Sequence, residues 1–565
     1  MAAKKRSEKI ETLSLGEVER EKPVKSTFFS KVLLKTRQVS RKLDSLGVEV
    51  RGIQRIPPYE RGTSKQFLSV AGLWLSAAGG LSSMSSFFLG PLLFELTFHQ
   101  SLVSGIISMA IGCGVAAYCS TMGPQSGCRQ MVTARYLFGW YFVKFVALVS
   151  IIGVMGWSIV NCVVGGQMLA AVSDGKIPVW VGIVIVTVLS FLVAIFGIKQ
   201  VLKVETFLSV PVLTCFLLLY ISSSDKYYLL DTFKNDDLSP LTVKGNWLSF
   251  FSLCYSITST WGSITADYYI LFPENTASHK VFLLTFFGTL LPTTFVGVLG
   301  LILASCAMSY SPWAAAYKTY GMGGLLLAGF ERWHGFGKFC VVVLLLSLIS
   351  NNIINTYSAA FSLQLSSIHM ARVPRWIWAI ACTIFYLICA LAGRNHFSDI
   401  LGNFLPMVGY WISIYFIILL EENVIFRAHF LDLYTKEFPP HRQDPEDDTN
   451  GSGSGGRSGA SPQINLRDLK AKRSLYTNTK TNSCIRYNWD MWNNQDVLTH
   501  GYAATFSFLV GVVGVVLGMA QAYWIGPIAR KIGDYGGDLG MWLSMGFSGI
   551  VYPGLRYLEL RKYGR

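Results

Sequence analysis

Long apolar stretches separated by short polar segments dominate the chain from about residue 66 onward. Stretches of about 20 apolar residues are typical of transmembrane helices. Because the stretches are continuous rather than alternating over about ten residues, a transmembrane strand barrel is excluded. Twelve spans are predicted, at 66–95, 101–121, 142–173, 178–199, 204–223, 246–272, 279–309, 336–366, 374–393, 398–420, 501–525 and 537–557. The pattern therefore predicts an all-α polytopic membrane protein.

The composition and the placement of charge strengthen that prediction. Hydrophobic residues make up 52% of the 565 positions and charged residues 14%, against about 25% charged residues in soluble domains. The net charge of +15 lies in the ends and loops, which favours topogenic charge over a nucleic-acid surface. With a cytoplasmic N-terminus, 38 of the 48 Lys and Arg residues fall on the cytoplasmic side. This bias predicts that both termini are cytoplasmic.

The spans and the polar segments between them predict six regions. They are a basic cytoplasmic N-terminal tail (1–65), a first five-helix repeat (66–223), a second five-helix repeat (246–420), a partly disordered cytoplasmic linker (421–500), spans 11 and 12 (501–557) and a cytoplasmic C-terminal tail (558–565). The linker prediction depends on the Gly, Ser and Pro content of 439–485, a composition that cannot bury a core.

Motifs of enzymes, pumps and metal sites are absent from the sequence. It contains no HExxH, GxSxG or P-loop, and no GxGxxG that enters a soluble βαβ unit. No CxxC pair occurs, and no His stands at metal spacing from Cys or Glu, so neither a metal nor a cofactor is expected. The glycines at 321–324 are interpreted as a loop between spans 7 and 8. A secondary transporter is the function class that remains, rather than an enzyme.

Two spans carry runs of small and hydroxyl-bearing residues at corresponding positions. Span 1 contains Ala-Ala-Gly-Gly-Leu-Ser-Ser-Met-Ser-Ser at 77–86, and span 6 contains Ser-Ile-Thr-Ser-Thr-Trp-Gly-Ser-Ile-Thr at 256–265. Such residues allow a transmembrane helix to unwind and present backbone groups to a ligand. The spans are five apart, as two five-helix repeats would require. The alternative for either run is ordinary close packing of helices.

Amide and indole side chains form the next pattern. In span 3, Trp157 and Asn161 share a helix face, and Asn351 and Asn355 share one in span 8. Buried amides are costly in lipid unless they face a polar interior, and an amide edge matches the edge of a planar heteroaromatic ring. Trp157 and Trp261 could stack on the faces of such a ring. The alternative is that the amides form hydrogen bonds between helices and the tryptophans only pack against their neighbours.

Two carboxylates are candidates for coupling transport to protons. Asp267 lies toward the end of span 6, and Glu205 begins span 5. Desolvation within the membrane would favour a protonated carboxyl at Asp267. A structural role remains the alternative for both, and for Glu205 it is that of a charge at a helix N-terminus.

Taken together, these motifs resemble the fungal purine–cytosine permease branch of the nucleobase–cation symporters. The resemblance rests on Pro-Tyr-Glu-Arg at 58–61, Leu-Gly-Pro at 89–91, Gly156-Trp157 with Asn161, Trp261, and the pair Asn351 and Asn355. Within that branch the chain is most similar to the yeast vitamin B6 (pyridoxine) transporters. Longer strings at 59–65, 123–131, 265–273, 498–505 and 520–527 carry that similarity.

The resemblance implies a leucine-transporter-like fold, a five-plus-five inverted repeat followed by two C-terminal helices. It implies a substrate site between spans 1, 3, 6 and 8, with Trp157 and Trp261 as stacking residues. Asn161, Asn351 and Asn355 would be polar contacts, beside a span 1 serine, Ser83 or Ser85. It further implies a plasma-membrane symporter that imports pyridoxine and related vitamers with a proton as coupling ion. Spans 1, 2, 6 and 7 would rock against spans 3, 4, 8 and 9.

Other functions remain compatible with the same residues. A cytosine or purine permease needs nearly the same stacking slot and amide partners as a pyridoxine transporter. A nutrient sensor of the same fold that does not transport is the second alternative. An apolar Ile349 stands where a sodium-coupled relative would want a hydroxyl ligand, which favours proton coupling.

Overall fold

A computed structural model describes residues 52–62, 66–196, 198–438 and 487–565. Most of the predicted N-terminal tail and the Gly/Ser-rich part of the predicted linker, 439–486, lie outside the described residues. The described part is mainly helical, in agreement with the predicted fold class.

The described helices follow the order of the twelve predicted spans. Their bounds are Gln66–Ala77 with Leu81–Phe87 and Leu89–Leu92 (span 1), Phe98–Ser120 with Met122–Ser126 (2), Arg135–Val172 (3), Val179–Ala194 (4), Ile198–Ser222 (5), Pro240–Ser259 (6), Ser278–Ser309 (7), His334–Leu365 (8), Arg375–Gly393 (9), Phe397–Glu421 (10), Tyr502–Gly518 (11) and Gly540–Tyr563 (12). Seven of the described helices are long and apolar enough to cross a membrane, and the bent pair of span 1 makes eight. Spans 4 and 11 are shorter apolar helices.

Both predicted helix interruptions are present. Span 1 bends by 41° between Ala77 and Leu81. A Cβ added at Gly79 would lie 2.7 Å from the Cβ of Pro292 in span 7, so only glycine permits this approach. In span 6 the α-helix ends at Ser259, and two 3-10 turns follow, Thr260–Ser263 and Thr265–Tyr268.

Neighbouring spans bind the backbone groups that the break in span 1 releases. Ser347 of span 8 accepts the N–H of Leu81 through its Oγ (3.0 Å), and Thr293 of span 7 donates to the carbonyl of Ala78 (3.1 Å). Because no water satisfies backbone groups in the hydrocarbon region, an interruption is tolerated only where such partners exist. The break therefore faces the inside of the bundle.

Two segments differ from the predictions. The helix Ser311–Gly329 is broken at Tyr320 and Gly321, whose backbone angles are not helical, and Gly323 and Gly324 lie in its second part rather than in a loop. Gly321 has a φ of 59°, and a Cβ on Gly323 would lie 2.4 Å from the backbone of span 3. Span 10 continues past residue 420 as a π-helical turn, Glu422–Phe426. Part of the predicted linker is thus folded against the membrane helices.

Spans 11 and 12 are joined by a short hairpin. Its strands, β1 (Ala520–Gln521) and β2 (Trp524–Ile525), pair in antiparallel fashion. A buried salt-bridge network attaches span 12 to the end of span 10, where Glu422 accepts from Arg556 at 3.0 Å and lies 3.3 Å from Arg427. A buried charge requires such partners, so these contacts hold the last two spans against the ten-span core.

Candidate functional site

A cavity lies where the interrupted parts of spans 1 and 6 face spans 3 and 8. The empty space between its walls is about 320 Å³, part of it open to the surroundings. Its walls are formed by Ser82 and Ser83 (span 1), Val154 and Trp157 (span 3), Ile257, Thr260, Trp261 and Ile264 (span 6), and Asn351 and Asn355 (span 8). Five of the seven predicted substrate residues line this space, and Asn161 and Ser85 do not.

The two tryptophans supply most of the aromatic wall. Trp157 and Trp261 are 6% and 7% exposed, so nearly all of each ring is packed in protein. The indole of Trp74 meets Trp261 edge to face, with ring centroids 5.5 Å apart. Trp74 is itself held by a hydrogen bond to the hydroxyl of Tyr269 (3.0 Å). The ring of Trp261 is therefore braced before any molecule binds.

Span 8 presents a chain of amides to the cavity. Asn355 donates to Oδ1 of Asn351 (2.9 Å), and Nδ2 of Asn351 donates to the carbonyl of Ala77 at the break in span 1 (3.2 Å). These bonds use most of the capacity of Asn351. Among the described residues the amide of Asn355 makes no other hydrogen bond, so its Oδ1 and one N–H are available to a bound molecule. The amide chain joins the interrupted helix to the site wall.

Asn161 lies behind this wall rather than in it. Its Nδ2 donates to Oδ1 of Asn351 (2.8 Å) and to Oδ1 of Asn352 (2.9 Å), and its side chain is fully buried. The i, i+4 spacing from Trp157 predicted a shared face correctly, but Asn161 orients the amide of Asn351. The role of Asn352 was missed, because a run of two asparagines does not reveal which one faces the ligand.

The serines of span 1 divide in a way that helical spacing did not predict. Ser83 lines the cavity but donates to the carbonyl of Ala78 (2.9 Å). Ser85 donates to the carbonyl of Ser82 (2.8 Å), away from the cavity walls. The missed residue is Ser82, which lines the cavity and is buried, with a hydroxyl that has no hydrogen-bond partner among the described residues. Ser82 is thus the span 1 serine best placed to contact a ligand.

Glu205 connects spans 1, 5 and 8 beside the break in span 1. Its carboxyl accepts a hydrogen bond from the hydroxyl of Ser350, and that hydroxyl lies 2.8 Å from the hydroxyl of Ser76. The side chain is fully buried, and its Oε1 has no partner in the part of the chain that the structure describes. The prediction of a charge at a helix N-terminus does not fit, because Ile198–Ser222 begins seven residues earlier.

Asp267 lies beyond the cavity, in the last 3-10 turn of span 6. Its Oδ1 accepts the backbone N–H of Gln130 (2.8 Å), while Oε1 of Gln130 accepts the N–H of Ala266 (3.0 Å). Gln130 also donates to the hydroxyl of Tyr415 in span 10 (2.9 Å). We call Arg129, Gln130, Asp267, Tyr357 and Tyr415 the Asp267 cluster.

Arg129 extends the cluster to span 8. Its guanidinium lies 3.8 Å from the ring centroid of Phe361 and donates to the hydroxyl of Tyr357 (2.9 Å). A desolvated cation over an aromatic face is worth about 2 kcal/mol. The loop between spans 2 and 3 therefore holds the end of span 6 against spans 8 and 10.

Within the described residues, no three His, Cys, Asp or Glu side chains come together as a metal centre would require. The polar groups around the cavity are amides and hydroxyls, with one carboxyl nearby. Such a set suits recognition of a neutral, hydrogen-bonding ring more than chemical transformation of it.

Comparison with known proteins identifies the family. The model of the family described as permease for cytosine/purines, uracil, thiamine, allantoin matches residues 56–435. The chain belongs to this family. A vitamin B6 transporter of Saccharomyces cerevisiae is 70% identical over 532 residues, which cover 93% of this chain and 90% of that protein. A purine-cytosine permease of the same yeast is 31% identical over 525 residues, covering 92% and 88%.

A solved structure agrees with the fold of this permease family member. The chain is similar to Mhp1, a nucleobase-cation-symport-1 family transporter solved in a closed conformation with bromovinylhydantoin bound. The TM-score is 0.56 at 14% identity, and the match covers 92% of this chain and 96% of Mhp1. The chain is a multi-pass membrane protein with the leucine-transporter-like fold that its sequence motifs predict. It is a secondary transporter and not an enzyme.

Proposed function

We propose that this permease imports pyridoxine and related vitamin B6 compounds across the plasma membrane, driven by protons. The observation that carries the proposal is the 70% identity to a vitamin B6 transporter over 93% of the chain. Over nearly the same length, the purine-cytosine permease is 31% identical. The substrate would therefore be a planar pyridine rather than a nucleobase.

The cavity chemistry is compatible with that substrate. Pyridoxine is a small planar ring with three hydroxyl groups, and it needs a stacking slot and several polar partners. Trp157 and Trp261 would contact the ring faces, and the amide of Asn355 and the hydroxyl of Ser82 would bind ring hydroxyls. Asn351 would form part of the cavity wall, oriented by the hydrogen bonds that its amide makes with Asn161 and with the carbonyl of Ala77.

The position of the cavity suggests how transport would proceed. It lies between spans 1 and 6, which belong to the proposed rocking bundle, and spans 3 and 8, which belong to the proposed scaffold. Rocking of one group of helices against the other would open the site to each side in turn. The Asp267 cluster joins span 6 to spans 8 and 10, so it would have to open in one of the two states.

We assign the coupling proton to Glu205 in preference to Asp267. An ionised carboxylate without a cationic partner is expensive within the membrane, and the described ion pairs do not involve Glu205. The hydroxyl of Ser350 donates to the Glu205 carboxyl next to the break in span 1, and such a bond is stronger to an ionised carboxylate than to a protonated carboxyl. Uptake of a proton by Glu205 would therefore weaken this link between spans 1, 5 and 8, and release of the proton would strengthen it. In this way protonation and bundle position would be coupled.

Uptake of radiolabelled pyridoxine by yeast cells that lack their own transporter tests the proposal. We expect uptake that a protonophore abolishes and that excess cytosine or adenine does not reduce. Competition by cytosine would favour a nucleobase permease. Surface expression with substrate binding but no uptake would favour a nutrient sensor.

Placement of both termini in the cytoplasm is tested by protease protection of epitope tags at each end.

A further inference from the structure

A second, larger space opens on the outer surface of the helix bundle. About 740 Å³ of empty space, part of it open to the surroundings, lies between spans 2, 7, 10 and 12. Its walls are Ile111, Gly114, Val115, Tyr118, Phe282, Phe416, Met541, Trp542 and Met545. We call this space the outer groove. It shares no lining residue with the central cavity.

Packing within the protein leaves the outer groove unfilled. A Cβ added to Gly114 would meet no heavy atom within 4 Å. Across the groove, the ring of Tyr118 stands edge-on to that of Phe416, with centroids 5.8 Å apart, and so joins spans 2 and 10. Ile111 and Trp542 remain 38% and 42% exposed. The groove is therefore open toward the surroundings of the helices.

The surroundings of these helices determine what can fill the space. Spans 2, 7 and 10 are among the helices apolar and long enough to cross a membrane. Of the lining residues, Tyr118 and Trp542 are the two with a polar N–H or O–H group in the side chain. Apolar cavities do not hold ordered water, which needs about two to four polar partners. The hydrocarbon chains of lipids are then the component of a bilayer that can fill the groove.

The shape of the walls favours a flexible occupant over a rigid one. Met541 and Met545 form one side, and methionine side chains adapt to partners without a fixed shape. The residues of span 2 extend from Ile111 to Tyr118, about 10 Å along the helix axis. We propose that the outer groove binds one acyl chain of a membrane phospholipid.

The groove also lies between helices that would move relative to one another. Spans 2 and 7 belong to the proposed rocking bundle, whereas spans 10 and 12 lie outside it. If the proposed function holds, a bound acyl chain fills a space whose width depends on the transport state. Lipid binding itself does not rest on transport of any substrate.

The test uses the purified full-length protein and a phosphatidylcholine that carries a photoreactive diazirine in one acyl chain. After incorporation into bilayers and extensive washing in detergent, illumination crosslinks the lipids that the protein retains to the residues beside them. We expect labelled peptides from spans 2, 7, 10 and 12 around the groove. Exposed Leu192 and Ile384, on other helices, serve as internal references for lipid that is merely adjacent.

Two variants with matched side chains separate binding from general lipid contact. Gly114→Leu fills the groove and should reduce its labelling by about tenfold, equivalent to about 1.4 kcal/mol. Gly554→Leu adds the same side chain at another open glycine, outside the groove walls, and should leave labelling unchanged. If Gly114→Leu does not fold, Met545→Trp fills the space from the opposite wall.

Several outcomes would overturn the proposal. They are equal labelling of groove and reference residues, groove labelling that both filling variants leave unchanged, and preferential labelling of the groove by a photoreactive sterol. Because the readout requires no vitamin, a failure here is distinguishable from failure of the transport assay.

Discussion

The central cavity and the Asp267 cluster use buried polar groups in opposite ways. Around the cavity, the hydroxyl of Ser82 and Oε1 of Glu205 have no partner among the described residues. In the Asp267 cluster, Gln130 bonds through its backbone N–H, its amide oxygen and its amide nitrogen. A buried polar atom without a partner costs about 1–3 kcal/mol.

This difference separates polar groups that can bind a ligand or a proton from polar groups that only stabilise contacts between helices. The polar groups around the cavity that have no partner are available to a substrate or a proton. The polar groups of the Asp267 cluster already form hydrogen bonds with other parts of the protein. Four substitutions test this difference. For each variant, pyridoxine uptake is measured and surface abundance is determined in parallel.

Glu205→Gln should have the largest effect. Glutamine resembles the protonated carboxyl in shape but cannot release a proton, so accumulation should stop while exchange of bound substrate continues. We expect net protonophore-sensitive uptake to fall by about tenfold or more, an effect of at least about 1.4 kcal/mol. Counterflow in preloaded vesicles measures exchange. Loss of both activities at normal abundance would show that Glu205 is needed for binding or movement rather than for coupling.

Asn355→Ala should raise the KM for pyridoxine. A loss of about 1.4 kcal/mol, within the range of about 1–3 kcal/mol for a hydrogen-bonding group removed from a buried site, lowers the apparent affinity about tenfold. Asn246→Ala is a matched control, since Asn246 is also buried but donates to the carbonyl of Phe94, outside the cavity walls. An equal KM change in both variants would contradict a direct contact by Asn355.

Asp267→Asn should slow transport without changing its dependence on pH. Asparagine retains one oxygen that can accept the N–H of Gln130, while the second carboxylate oxygen becomes an amide NH2 and the negative charge is lost. A change of about 0.5 kcal/mol corresponds to a maximal rate about twofold lower. Uptake measured across external pH values from about 4 to about 7.5 checks this, a range that begins near the ordinary carboxyl pKa. A flattened profile would return the coupling role to Asp267.

The smallest expected difference is between two serines of span 1. Ser82→Ala removes the free hydroxyl at the cavity and should raise the KM about threefold, as the loss of a neutral hydrogen bond worth about 0.7 kcal/mol would. Ser85→Ala removes a hydroxyl that bonds within its own helix and should leave the KM unchanged. The reverse order would place Ser85, and not Ser82, against the substrate.

Much of the site could be predicted because residue type and helical period both restrict it. Small and hydroxyl-bearing runs indicated the interruptions of spans 1 and 6, since few other sequences tolerate broken backbone inside a membrane. Trp157, Trp261, Asn351 and Asn355 were identified for a related reason, because bulky indoles and amides are unusual in the middle of a span. All four line the cavity.

Residues that differ only in rotation or partner could not be resolved in this way. Four serines lie within five positions of span 1, and the bend between Ala77 and Leu81 changes which of them faces span 8. Likewise, Asn161 bonds to two asparagines of span 8 instead of lining the cavity. These outcomes depend on distances between helices that are far apart in the sequence.

The class of protein, the order of the spans and the types of side chain near the middle of the membrane follow from local patterns in the amino-acid sequence. Hydrocarbon imposes these features locally, through the length of apolar runs and the cost of buried polar groups. Tertiary structure alone decided which polar atoms remain unpartnered, because each hydrogen bond depends on the approach of another helix. Ser82 and Glu205 are therefore distinguished from Ser85 and Asp267 only in the folded chain.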